Sequence, residues 1–251
     1  MKILLTIYML LSLITASKNL SAYQVIEIIN NKEKPEDIKA TFKMESFKNK
    51  DIRITEFVSW SKDNGKKQIM WFLKPLEYKD MAFLKTQKGN NINMSMWYPR
   101  YEKVRKIPSQ NKGKSFMSSD LTYEDLYIRE IDDFTYEMLR QEWLDSIKCY
   151  VIVSTPLKKI DSDYSKHRTW ISKKDFIPLK EISYDKKGIP EKEKYFYYTL
   201  KNDKDIITSM KILNLKEPDY YTNISINDII LDSSISDNFF KENKLKRRPK
   251  E

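Results

Sequence analysis

The chain has 251 residues, with 46 Lys and Arg against 36 Asp and Glu, a net charge of +10, one His, one Cys and four Gly. Gly65, Gly89, Gly113 and Gly188 stand too far apart to build a phosphate-cradling loop, which excludes a dinucleotide or NTP site of the usual kind. His167 and Cys149 are too few for a usual zinc site or an internal disulfide, so no metal, cofactor or redox staple is expected, while 40% hydrophobic residues suffice for one domain of moderate size.

In chain order, the first element is a targeting segment. Lys2 precedes an apolar stretch from Ile3 to Ile14, followed by the small and polar residues Thr15, Ala16, Ser17, Ser21 and Ala22. This outlines a secretory signal peptide over residues 1–22. Cleavage fits after Ser17 or Ala22, with Ala22 preferred, and the alternative is an uncleaved N-terminal anchor. No Cys follows the apolar stretch, so lipid attachment at a new N-terminal Cys is excluded. Tyr23–Asn31 places Val25, Ile26 and Ile29 on one face and predicts a short helix.

Period-two patterns then dominate. Ile38, Ala40, Phe42 and Met44 alternate with polar residues, and Ile92, Met94, Met96 and Tyr98 alternate with Asn93, Ser95 and Trp97. Segments 52–60, 67–73, 81–86, 147–155, 167–173, 179–185, 193–200, 206–213 and 222–231 read similarly, rich in the residues that suit a pleated surface. The four glycines punctuate this pattern and are expected to supply positive φ in hairpins. Cys149 alternates with Ile147, Val151 and Val153 and reads as a buried strand thiol. Residues 115–145 break the rhythm, with a helical turn expected around Leu121–Leu126. Asp237–Phe240 is expected to dock as a terminal turn, and the basic tail 241–251 to fray. The sum is a mainly β domain over 23–240: one large antiparallel sheet, strongly curved or closed.

Several strands are apolar on both faces. Every side chain of Ile69–Leu73 is apolar and every one of Tyr195–Tyr198 aromatic. Either loops or helices cover the second face, or the sheet presents a concave apolar surface for a lipid or acyl chain. The groove candidates are Phe42, Met44, Ile54, Met70, Phe72, Met94, Met96, Trp170, Tyr195 and Tyr197. A one-residue error in register inverts each choice of face. In the loop, Asp120, Glu124 and Asp125 could work as acid and base. Thr122 with Asp125 is also the spacing of a capping box, which is the preferred reading. Ser115, Phe116, Asp120, Tyr123 and Asp125 are therefore assigned to a structural loop, with no catalytic residue. The runs Lys103–Lys106 and Lys244–Arg248 would suit nucleic acid, but export argues against that partner. Many lysines also have acids nearby, so such runs read as solvated faces, and the basic surface as a whole could meet anionic head groups or an acidic partner.

A resemblance is carried by several motifs together. They are Trp71-Phe72-Leu73-Lys74-Pro75 with Met81-Ala82-Phe83-Leu84, Trp97-Tyr98-Pro99-Arg100-Tyr101, and the run Ser115-Phe116-Met117-Ser118-Ser119-Asp120-Leu121-Thr122-Tyr123-Glu124-Asp125-Leu126. Cys149-Tyr150, Asp163-Tyr164-Ser165-Lys166, Trp170-Ile171 and Pro178-Leu179-Lys180 follow in order. Over roughly residues 36–230 the chain resembles the LolA-like family of periplasmic outer-membrane lipoprotein-sorting proteins. Two glycines of the family pattern stand here as Asp80 and Ser118, which would sit at positive φ. The resemblance implies an unclosed half β-barrel with a helical or loop lid on its concave side. It also implies a periplasmic, non-enzymatic carrier of lipoprotein acyl chains or lipid. Its partners would be an inner-membrane exporter or outer-membrane receptor, and it would act as a monomer. The alternative is a non-catalytic structural or exporter-associated envelope protein without lipid cargo.

Overall fold

The computed structural model describes residues 20–249. The apolar stretch Ile3–Ile14 lies outside them. The first element is helix α1, Ala22–Asn31. Its N-cap is Ser21, whose Oγ accepts from the Gln24 amide at 3.2 Å while Gln24 Oε1 accepts from the Ser21 amide at 2.9 Å. This reciprocal pair satisfies two amides that the first turn would leave open.

Thirteen strands follow: β1 Asp37–Lys48, β2 Asp51–Lys62, β3 Lys67–Lys74, β4 Ala82–Lys88, β5 Asn91–Tyr98 and β6 Lys103–Lys106, then, after a long connection, β7 Phe134–Leu144, β8 Ile147–Pro156, β9 Tyr164–Ser172, β10 Pro178–Asp185, β11 Pro190–Lys201, β12 Lys204–Asn214 and β13 Tyr220–Leu231. They form one antiparallel sheet in the order β6-β5-β4-β3-β2-β1-β13-β12-β11-β10-β9-β8-β7. β6 and β7 are its two edges and do not meet, so the curved sheet is an open half-barrel.

Turn chemistry explains how a chain so poor in glycine makes this many hairpins. Gly65, Gly89 and Gly188 do take positive φ, at 81°, 55° and 77°. Asn and Asp, which tolerate the left-handed region best, serve other turns through Asn49, Asp145 and the pair Asn202–Asp203, and Glu102 and Phe176 take positive φ in two more. Gly113 departs from expectation, having no positive φ. Its reason is proximity, since a Cβ there would lie 2.2 Å from Asp163 Oδ2. Asp80 and Ser118 sit at φ 63° and 60°.

Both faces of β2–β5 are buried, which accounts for their unbroken apolar runs. On the convex face, Trp60, Ile69, Trp71, Leu84 and Trp97 pack with Ile235, Phe240 and Leu245 of the C-terminal segment. Phe239 meets Trp60 edge-on, with ring centroids 5.0 Å apart. The expectation of a fraying tail therefore fails for residues 241–249. Leu245 is 1% exposed, and its burial outweighs the solubility of its charged neighbours. On the concave face, α1 seats Ala22 and Val25 against Tyr150, Ile152 and Ile171.

Candidate functional site

Because β6 and β7 are opposite edges, the connection 107–133 must cross the concave side to join them. Its sequence makes it fold inward. Phe116, Met117 and Leu121 are buried in one cluster with Met44, Met70, Phe72, Phe83, Met94 and Met96. The Phe116 ring lies 5.4 Å from Phe83 and 5.6 Å from Tyr123. Six groove candidates, Phe42, Met44, Met70, Phe72, Met94 and Met96, thus occupy the concave face. Five of them lie beneath the chain's own plug rather than along an open wall, while Phe42, at the edge of that cluster, lines a smaller cavity with Ile206, Ile226 and Tyr198.

The other four candidates face outward. Ile54 is 40% exposed and Tyr197 is 52% exposed. Trp170 is buried with Cys149 and Val151 on the convex side, where Lys180 Nζ lies 5.0 Å from its ring and 5.2 Å from that of Tyr195. Aromatic residues at every position of Tyr195–Tyr198 give no parity signal, and the true parity puts Phe196 and Tyr198 inside.

Beside the plug lies a cavity of about 810 Å³. Its apolar wall includes Ile26 and Ile29 of α1, Ile171 of β9, Phe196 and Tyr198 of β11, and Met210 of β12. Leu126–Ile131 of the connection form its cover. Sequence reasoning missed this half of the concave face. Two side chains of β4 hold the cover down by its backbone. Lys85 Nζ donates to the Leu126 carbonyl. Gln87 grips Ile128 twice, accepting from its amide at 2.9 Å and donating to its carbonyl at 2.5 Å. Burial lowers the Lys85 ammonium to about 8.

Under the cover, charged residues at inward strand positions form a continuous network. Asp125 accepts from Lys192 Nζ at 2.8 Å and Lys194 Nζ at 2.6 Å, and its side chain is 1% exposed. It also accepts from the Thr122 amide at 2.8 Å, while Thr122 Oγ1 accepts from the Asp125 amide at 3.3 Å. The capping arrangement expected of this pair is present. Lys194 reaches on to Glu181 at 3.2 Å, and Arg129 forks onto both Glu181 oxygens at 2.7 and 2.9 Å. Burial pushes both carboxyls up, but the cations beside them more than reverse it and hold both well below the usual carboxylate range. Burial and the Arg129 charge lower His167 to about 3. It is a neutral imidazole whose Nδ1 meets Ser183 Oγ at 3.0 Å.

The remaining loop residues stitch the plug shut. Ser115 Oγ donates to the Ser119 carbonyl at 2.5 Å, and Asp120 accepts from Thr222 Oγ1 at 2.7 Å. Tyr123 is pushed up to about 12 by burial, as expected of a phenol packed among rings. Glu124 accepts from the Asp163 amide at 2.8 Å and thereby ties the loop to the entry of β9.

A DUF1329 family model, described as "uncharacterized protein", matches residues 64–247. Among solved structures, an outer-membrane lipoprotein-sorting protein domain from Vibrio parahaemolyticus superimposes with TM-score 0.84 at 26% identity, covering 90% of this chain and 98% of that one. A DUF1329 family protein from Desulfovibrio piger gives TM-score 0.84 at 24% identity over 89% and 97%. A LolA superfamily protein from Nitrosomonas europaea gives 0.72 at 16% identity over 90% and 99%. No curated protein matches the chain.

Proposed function

We propose that this chain, which belongs to the DUF1329 family and shares the fold of LolA-like lipoprotein-sorting proteins, carries the acyl chains of a lipoprotein or lipid in the cavity between the lid, α1 and strands β8–β12. One observation carries the reading. The space is about 810 Å³, within the range of roughly 300–1,000 Å³ typical of ligand pockets, with one apolar wall facing the paired charges of Asp125, Arg129, Glu181 and Lys194. Each methylene removed from water contributes about 0.8 kcal/mol, so a few turns of chain against Phe196, Ile171 and Met210 offset the cost of leaving a membrane. Release needs only a receptor or bilayer that competes for the chain.

Export through the segment 1–22 to the periplasm accompanies this reading, with exporter and receptor as partners, the protein acting as a monomer and the core domain spanning 23–240. Cleavage after Ser17 serves it better than cleavage after Ala22. Ser21 caps α1 and Ala22 is 6% exposed, so a chain starting at Tyr23 would lose both. No catalysis is assigned. Asp125 and Glu181 are ionised and consumed by buried cations, and His167 is enclosed, so none is free to move a substrate proton.

A second reading, an envelope protein with no cargo, draws on the plug. Phe116, Met117 and Leu121 already fill the half of the concave face nearest β2–β5. Native mass spectrometry of protein purified gently from its own envelope, paired with uptake of a fluorescent acyl probe, separates the two. A bound lipid mass and saturable uptake support the carrier. Neither in the wild type overturns it in favour of the cargo-free reading.

A further inference from the structure

Nine exposed Lys and Arg side chains gather on one edge of the sheet. Four belong to the β5–β6 turn and β6: Arg100, Lys103, Arg105 and Lys106. The other five lie on the C-terminal segment between Lys241 and Arg248. The two groups abut in space. Lys246 Nζ lies 5.6 Å from the ring of Trp97, whose strand partner is Val104 of β6. Glu242 accepts from Ser95 Oγ at 2.7 Å, and Ser95 pairs with Lys106. The tail is held there by Leu245, 1% exposed against the convex tryptophans, so its cations are presented in a fixed place.

Only two carboxylates, Glu102 and Glu242, share these segments, an excess of seven in a chain of net charge +10. Among the described residues none of the nine enters an ion pair. Elsewhere lysine pairs sit beside acids, as Lys158-Lys159 does near Asp161 and Lys186-Lys187 beside Asp185. Lysines on β6 also discourage pairing of an edge strand, but the five tail cations lie on no strand, so edge protection does not account for them.

We propose that this edge docks the protein onto an anionic lipid surface. The cations are long, flexible and exposed around a rim rather than set in a pocket, which suits a fluid array of head groups more than the fixed carboxylates of a folded partner. Tyr101, 56% exposed, stands among them, with the Arg105 guanidinium 5.5 Å from its ring. An amphipathic ring flanked by cations is the composition that settles at a membrane interface. The surface lies apart from the cavity and does not depend on the carrier reading.

The test is flotation of the mature protein with neutral phosphatidylcholine vesicles and with vesicles holding roughly 30% phosphatidylglycerol, at about 0.05 to 0.5 M salt. Binding is expected to the anionic vesicles alone and to fall with salt. Lys103→Gln/Arg105→Gln/Lys106→Gln and Lys246→Gln/Arg247→Gln/Arg248→Gln are each expected to lower partition at least about tenfold. Lys158→Gln/Lys174→Gln/Lys187→Gln, equally exposed but elsewhere, is expected to bind as the wild type does. Equal loss in that control set, unchanged binding in both edge sets, or equal binding to neutral vesicles overturns the proposal. So does a wild type that ignores vesicles yet binds poly-glutamate with salt sensitivity, which assigns the edge to an acidic protein surface. Acyl-probe uptake should persist in both edge variants, so this proposal and the carrier reading fail separately.

Discussion

Lys194 donates to Asp125 at 2.6 Å, and through that contact strand β11 grips the connection that crosses the concave side. The pair is enclosed, with side chains 7% and 1% exposed. A buried pair of this kind is costly to break because the survivor stays charged and unsolvated.

Asp125→Ala is therefore expected to destabilise the protein by about 3–5 kcal/mol, leaving Lys192 and Lys194 without their carboxylate. Asp120→Asn should cost less, about 1 kcal/mol, because it weakens single hydrogen bonds from Thr222 and Asn214. Urea unfolding curves with unchanged slope measure both. Equal midpoints for the two variants would refute the ranking.

Stability should fall with acid in two stages. His167 is held near 3 in the folded protein against 6.5 unfolded. Between those values the unfolded chain binds one proton more, so its contribution is full above pH 6.5 and declines as pH drops toward 3, by about 1.4 kcal/mol per unit at most. Asp125 and Glu181, both depressed, add stability above their unfolded values near pH 4 and lose it as pH falls further. Denaturant melts from pH 8 to pH 3 should show decline beginning below about 6.5, and His167→Gln should delay its onset to about 4.5.

Met94→Gln and Phe196→Gln should behave oppositely. Met94 is 3% exposed beneath the plug, so an amide there lacks partners and should cost about 3 kcal/mol with acyl-probe uptake retained. Phe196 lines the cavity and is half-buried, so Phe196→Gln should reduce probe uptake more than stability. Probe titration and a denaturant melt on each variant check the pair.

Asp80→Gly should stabilise by up to about 1 kcal/mol. Asp80 holds φ 63°, a region glycine enters without steric cost, and its amide donates to the Phe72 carbonyl at 3.1 Å, a contact that glycine keeps. A higher urea midpoint confirms it, and a lower one shows that the side chain itself matters.

Most of the sheet was legible because eleven of its thirteen strands coincide with alternating or unbroken apolar runs set between turn residues. β6 was not, being four residues long with Val104 alone packed, against the convex-face tryptophans. β7 was hidden by a bulge. Phe134, Tyr136 and Met138 alternate cleanly, then the register shifts before Arg140 and the parity is lost. The cavity was illegible for a related reason. Lys192, Lys194, Glu181 and His167 take inward positions that a hydrophobic pattern assigns to the outside, and only their mutual pairing makes the interior hospitable. The plug was half legible: its run was assigned to a structural loop, but nothing local said that Phe116 would cover Met94 rather than leave it open.

The first and last strands of the chain are neighbours at the middle of the sheet, with Ile38 opposite Leu231 and Lys48 opposite Tyr220. Asp37 reinforces the joint, accepting from the Ser233 amide and the Ile235 amide at 2.8 Å each. Every other ladder joins strands adjacent in sequence and can form locally. This seam alone must close a loop of nearly the whole domain, a separation that slows folding. A chain delivered N-terminus first, from a ribosome or through a membrane, therefore holds two partial sheets apart until its final strand emerges.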